Sequence, residues 1–280
     1  MKKQQLILFG SGALLLAALY LFGSTTPAKI NSPAENLTAS KPAVLTTADV
    51  INEAKKNITG SQSSTLAQLE NSVVRGDVKD QQIAVYKKLV RYWSDTLNHP
   101  EIAAFYLGEQ AKLESSEKNL NFAARLLLGR LMAESSPEMQ TWLATNAKAL
   151  FERSLKLNPA SDSVKVEIGA CYLFGNISST PMEGILKIKE VADRDSTNMY
   201  AQLLLGLGDI RSAQYDKAVE RFETVIKNEP GNLQAIFNLA ETFERKGDKV
   251  SAVHWYREAQ NIINIPEAKQ EIEERIKSLQ

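Results

Sequence analysis

The chain has 280 residues with 33 Lys+Arg against 33 Asp+Glu and a pI near 6.8, enough length for one extended array or two domains. With no basic excess, nucleic acid is not an expected partner. One cysteine, Cys171, and two histidines, His99 and His254, far apart in sequence, exclude an internal disulfide and a clustered zinc site, which takes three or four N or S ligands.

Residues 1–5 form a short basic segment, and residues 6–22 are an uninterrupted uncharged apolar run after Lys2 and Lys3. That length reaches the roughly 17–25 residues a membrane span needs and exceeds the apolar core of about 7–15 residues usual in a signal peptide. A single transmembrane helix is therefore expected, with a cleaved signal as the alternative because Thr26, Pro27 and Ala28 offer a cleavage site. The lysines before the run put the N-terminus in the cytoplasm and the remainder across the membrane, which is the periplasm in a bacterium. Residues 23–46 are rich in Ser, Thr, Pro, Ala and Asn without apolar periodicity and read as a flexible linker.

A helical region is expected over 47–118. Thr46 or Thr47 can cap a first helix, and Leu66, Leu69 and Val73 make an apolar stripe that ends near Gly76. Residues 81–98 and 101–113 read as a further helix pair, with His99 and Pro100 at the break.

From 119 to 265 the chain repeats itself. Gly206 and Ala240, Ala218 and Ala252, Phe222 and Tyr256, and Pro230 and Asn264 are each 34 residues apart. The same small, aromatic and proline places recur upstream at Gly169, Gly184 and Ile188 after 34 to 37 residues, and at Gly129, Ala147, Phe151 and Pro159 after a further 37 to 40. A period of this size means stacked helical hairpins. The small residues let the two helices of a hairpin approach, and the longer upstream intervals are expected as longer turns around 134–140 and 175–181. Residues 266–280 form a last helix, with Ala268, Ile272, Ile276 and Leu279 on one stripe and Glu271/Arg275 and Glu273/Lys277 pairs beside it. Such a helix caps the open end of an array.

Leu-Gly in one helix, Ala with an aromatic four residues later in the next, and Pro at the end resemble the tetratricopeptide repeat over about the second half of the chain. The resemblance implies an all-α solenoid of antiparallel helix hairpins, here four repeats after one degenerate repeat, behind the transmembrane helix. It also implies that the first helix of each hairpin lines a concave face where ligands lie. Carrying those places over gives Leu127, Val166, Phe174, Leu203, Leu207, Ile210, Phe237, Asn238, Glu241 and Arg245 as partner-binding residues, with Leu126, Arg130, Tyr200, Leu204 and Arg211 beside them.

The middle of that groove is apolar, and only Asn238 and Arg245 match the Lys and Asn set with which members of the family hold a C-terminal carboxylate. An amphipathic helix or extended apolar segment is the partner expected. The groove is filled either by such a partner or by the chain's own segment 47–75, whose Val50, Ile51, Leu66, Leu69 and Val73 need cover.

An enzyme is not expected: Cys171 has apolar and aromatic neighbours, the histidines are isolated, and no phosphate-binding glycine loop is present. Cofactors are expected to be none. The expected function is that of a membrane-anchored interaction scaffold of the cell envelope. A chaperone-like binder of apolar segments or an oligomerising structural protein are the alternatives.

Overall fold

The computed structural model describes residues 45–75, 78–177 and 182–280. The apolar run 6–22 and nearly all of the linker 23–46 lie outside the described residues. Among the described residues there are no strands, and no helix is long and apolar enough to cross a membrane.

The helices are α1 (Thr47–Lys55), α2 (Gly60–Arg75), α3 (Lys79–Arg91), α4 (Pro100–Glu114), α5 (Glu117–Ala133), α6 (Pro137–Leu157), α7 (Asp162–Phe174), α8 (Met182–Arg194), α9 (Met199–Arg211), α10 (Tyr215–Asn228), α11 (Leu233–Lys246), α12 (Lys249–Ile262) and α13 (Pro266–Leu279). A π turn, Tyr92–Thr96, continues α3. From α3 onward the helices pair as consecutive hairpins, each second helix also packs on the next hairpin, and α13 packs on α12. In addition α5, α7, α9 and α11 touch one another in order, which makes them the inner row of a tetratricopeptide-like solenoid.

Short polar residues start the helices. Thr46 accepts from the Asp49 amide while Asp49 bonds back to the Thr46 amide, a reciprocal box that satisfies two otherwise unpaired donors. Asn198 and Asn232 cap α9 and α11, each accepting at 3.0 Å from the third residue on. Pro159 and Pro230 follow α6 and α10, and the residues before them, Asn158 (φ −137°) and Glu229 (φ −130°), have left the helical region as proline requires.

Glycine sets the hairpin spacing in two repeats. A β-carbon on Gly184 would be 2.5 Å from the Gly169 carbonyl oxygen, and one on Gly169 would be 2.8 Å from the Gly184 oxygen, so α7 and α8 meet backbone to backbone. At Gly206 the β-carbon would meet the Phe222 ring at 2.7 Å.

The first repeat departs from the expectation. Nothing lies within 4 Å of a β-carbon built on Gly129, which is exposed. The small residue packed in its hairpin is Ala124, fully buried and seven residues into α5, as Gly169, Gly206 and Ala240 are into α7, α9 and α11. The extra length of this repeat is not in its turn, which is only residues 134–136. It lies in the helices: α5 has 17 residues and α6 has 21, against 13 in α7 and α9. Three or four extra residues at a time are whole turns of helix, so they lengthen a hairpin without disturbing its packed face.

That extension seats the N-terminal segment. The Trp142 indole on α6 donates to Thr47 at 3.1 Å, and Val50 and Ala54 are buried beside His99, Glu101 and Met139. The Tyr92 hydroxyl donates to the Gln62 carbonyl, and Lys55 pairs with Glu70 at 2.8 Å. Residues 47–75 thus cover the first hairpins of the array.

In the third repeat, Asp209 stands where its neighbours have Tyr172 and Phe243. It is held by the Arg221 guanidinium at 2.8 Å, which also donates to Gln202. At the C-terminal end Ile272, Ile276 and Leu279 are buried, but Arg275 does not pair with Glu271. It reaches back to Glu244 on α11, as the Tyr256 hydroxyl does.

Candidate functional site

Aligning the inner helices on Ala124, Gly169, Gly206 and Ala240 defines what each contributes to the inner face. Three places earlier stand Asn121, Val166, Leu203 and Phe237; two earlier, Phe122, Glu167, Leu204 and Asn238; one later, Arg125, Ala170, Leu207 and Glu241; five later, Gly129, Phe174, Arg211 and Arg245. These rows run across the groove because i, i+3 and i+4 share one face of a helix.

Two of the expected binding residues are in the core. Leu127 is fully buried because, three places after Ala124, it corresponds to Tyr172, Asp209 and Phe243 and faces its own hairpin. Val166 has the correct register and is also fully buried. In their place α5 exposes Phe122 (57%), Leu126 (42%) and Met132 (45%). Ser116, whose side chain caps α5 by accepting from Asn119, is the sequence signal that could have fixed this register.

The remaining residues divide along the array. Leu203 is buried but lines a cleft of about 370 Å³ with Arg125, Leu128, Met132, Tyr200 and Leu204. Leu207 and Ile210 are half-buried and packed on the core below. Phe174 lies under the Arg211 guanidinium at 5.8 Å, a cation over an aromatic face. Phe237 is 41% exposed, Asn238 is 9% exposed, and Arg245 pairs with Glu241 at 2.6 Å. The structure brings Leu203, Leu207, Phe237, Asn238 and Glu241 onto one surface and removes Leu127 and Val166 from it.

Charge on this surface is largely internal. Arg125 bridges α5 to the buried Glu167 on α7. Burial pushes the Glu167 carboxyl above its usual range, and the hydrogen bond and charge of Arg125 work against that rise. His99 bonds Glu101 at 2.9 Å, with Arg130 3.8 Å from the same carboxylate. Among the described residues no three His, Cys, Asp or Glu side chains converge to hold a metal. Cys171 is fully buried and its thiol is pushed up to about 12, chiefly by burial, the opposite of what a reactive cysteine needs.

Residues 201–268 match the tetratricopeptide repeat family model, and the hairpins packed on small residues upstream of that stretch share its build. Residues 201–268 therefore carry tetratricopeptide repeats, a class that mediates protein–protein interactions. No curated protein matches the sequence. Among solved structures, the chain is similar to PilW, described as a type IV pilus biogenesis factor, at 15% identity and a TM-score of 0.48, over 70% of this chain and 92% of that one. YrrB, described as a TPR protein with an unusual peptide-binding site, aligns at 15% identity and a TM-score of 0.42, over 74% and 97%. MamA from Desulfovibrio magneticus RS-1 aligns at 21% identity and a TM-score of 0.44, over 67% and 96%.

Proposed function

We propose that this protein is a non-catalytic scaffold, anchored in a membrane of the cell envelope by residues 6–22, whose inner face holds an apolar or amphipathic segment of a partner protein. The observation that carries the reading is the surface formed by Met132, Tyr200, Leu203, Leu204 and Phe237. These side chains line open clefts that no residue of 47–75 lines, since that segment packs at the first hairpins. Met132, Tyr200 and Phe237, left in water beside the buried Leu203 and Leu204 on an otherwise ion-paired surface, favour a protein partner over a small polar ligand. The uncharged run 6–22 and the lysines before it support the anchor and its direction. An anchor also raises the concentration of the surface at the membrane, so a modest affinity suffices.

The test is photocrosslinking in native membranes with a photoreactive residue at Tyr200, exposed at the central cleft. One dominant partner protein is the expected result. Many unrelated partners would turn the reading towards a chaperone. A second copy of the chain would turn it towards an oligomerising protein, and crosslinks only within one chain would refute the groove as a binding face.

A further inference from the structure

The cleft at the C-terminal end of the groove is not made by the repeats alone, because one of its walls is α11 and the other is α13. It has a volume of about 460 Å³ and is lined by Leu233, Phe237, Asn238, Ala268, Glu271 and Ile272. A neighbouring cleft of about 330 Å³ shares Phe237, Glu271 and Ile272 with it. Gln234 lines both the 460 Å³ cleft and the central one, so the three follow one another along the inner face.

Two polar groups in this slot lack their complements. Asn238 is 9% exposed, and its amide nitrogen is shut off from water with no acceptor, a state that folding leaves uncompensated. Glu271 is exposed, and Arg275, one turn further along α13, is turned away to Glu244. Elsewhere on this wall the charges are matched, with Glu241 held by Arg245 and Glu244 by Arg275 and Tyr256. The slot thus presents a buried donor, an apolar seat and an unmatched carboxylate. That combination is complementary to a peptide unit with an apolar side chain and a neighbouring cation.

We propose that the slot between α11 and α13 takes an extended segment of a partner protein. A backbone carbonyl of that segment accepts from Asn238 Nδ2, an apolar side chain sits between Phe237 and Ile272, and a Lys or Arg lies beside Glu271. The proposal rests on the inner-face reading above and assigns one subsite of it. Among the described residues α13 packs chiefly on α12, so it is the wall that yields when the carbonyl reaches Asn238.

The experiment pans the full chain in detergent against a display library of random dodecapeptides and titrates a recovered peptide into the protein and its variants. The expected peptides share an apolar residue next to Lys or Arg. Asn238→Asp, which replaces the donor with an acceptor, weakens binding about five- to tenfold. Glu271→Lys, on an exposed face where folding is not at stake, weakens it by more than tenfold, and Glu271→Gln falls between. Peptides that lose affinity with Tyr200→Ala but not with Asn238→Asp or Glu271→Lys would refute the slot and leave the inner-face reading standing. Recovery of no peptide, or of peptides indifferent to all of these variants, would refute both. Competition by a synthetic peptide of residues 23–44 would make the occupant the chain's own leading segment and overturn the proposal.

Discussion

A single methyl group added at two glycines should shift stability in opposite directions. In Gly184→Ala the new β-carbon would lie 2.5 Å from the Gly169 oxygen, 2.7 Å from Tyr172 Cβ and 3.1 Å from the Leu173 nitrogen. The nearest contact must open by roughly 0.9 Å to reach ordinary van der Waals distance, and two of these atoms are backbone, so α7 and α8 must separate as bodies. Overpacking of this kind costs about 1–3 kcal/mol, and the rigidity of both partners puts this case at the upper end. Alanine gains back about 1 kcal/mol in helix propensity, for a net loss of about 2 kcal/mol. Gly129→Ala meets nothing within 4 Å on an exposed helix, so only the propensity gain of up to about 1 kcal/mol remains. Thermal melts followed by circular dichroism should then show Gly184→Ala lower by about 5 °C and Gly129→Ala higher by about 2 °C. Shifts of the same sign, or a Gly184→Ala melt at or above wild type, would refute both the packing argument and the register placing Ala124 in the first hairpin.

Asn232→Ala removes the cap that accepts from the Ala235 amide and should cost about 1 kcal/mol, read as a lower urea midpoint and faster hydrogen exchange in the first turn of α11. Arg125→Met leaves the buried Glu167 carboxylate without its cation, so the folded-state value, already raised by burial, rises further. A carboxyl whose folded value is raised contributes most stability while protonated and loses it as pH rises through that value. Urea midpoints of Arg125→Met should therefore fall below wild type as pH climbs from the ordinary carboxyl range towards neutral, with the two converging at acid pH. A constant offset across that window would exclude Glu167 as the cause. Cys171, with its thiol raised to about 12, should resist maleimide in the folded protein at neutral pH and react on unfolding, followed by mass spectrometry; prompt labelling of folded protein would contradict its burial.

The 34-residue spacing from Gly206 to Asn264 was enough to place α9 to α12, since identical hairpins stacked identically must repeat their small and aromatic contacts at one interval. The cap at Thr46 was likewise local, set by one side chain and the backbone three residues on. The first repeat was misread for a physical reason. Whole extra turns of helix leave the amphipathic pattern unbroken, so periodicity alone did not separate α5 and α6 lengthened to 17 and 21 residues from a long turn, and only the caps Ser116 and Ser136 mark where these helices start. The register slipped by five residues, Gly129 took the place of Ala124, and Leu127 was put on a surface that it does not reach.

The amino-acid sequence by itself determined that residues 119–265 form a row of helical hairpins with an apolar inner stripe. Such properties follow from periodicity and composition, which act over a few turns of helix. Only the tertiary structure decided which apolar residues are core and which are surface, that residues 47–75 go to the first hairpins, and that Arg275 leaves Glu271 for Glu244. Each of these depends on which helix arrives alongside, and a side chain four residues from a possible partner takes a distant one when packing brings it closer.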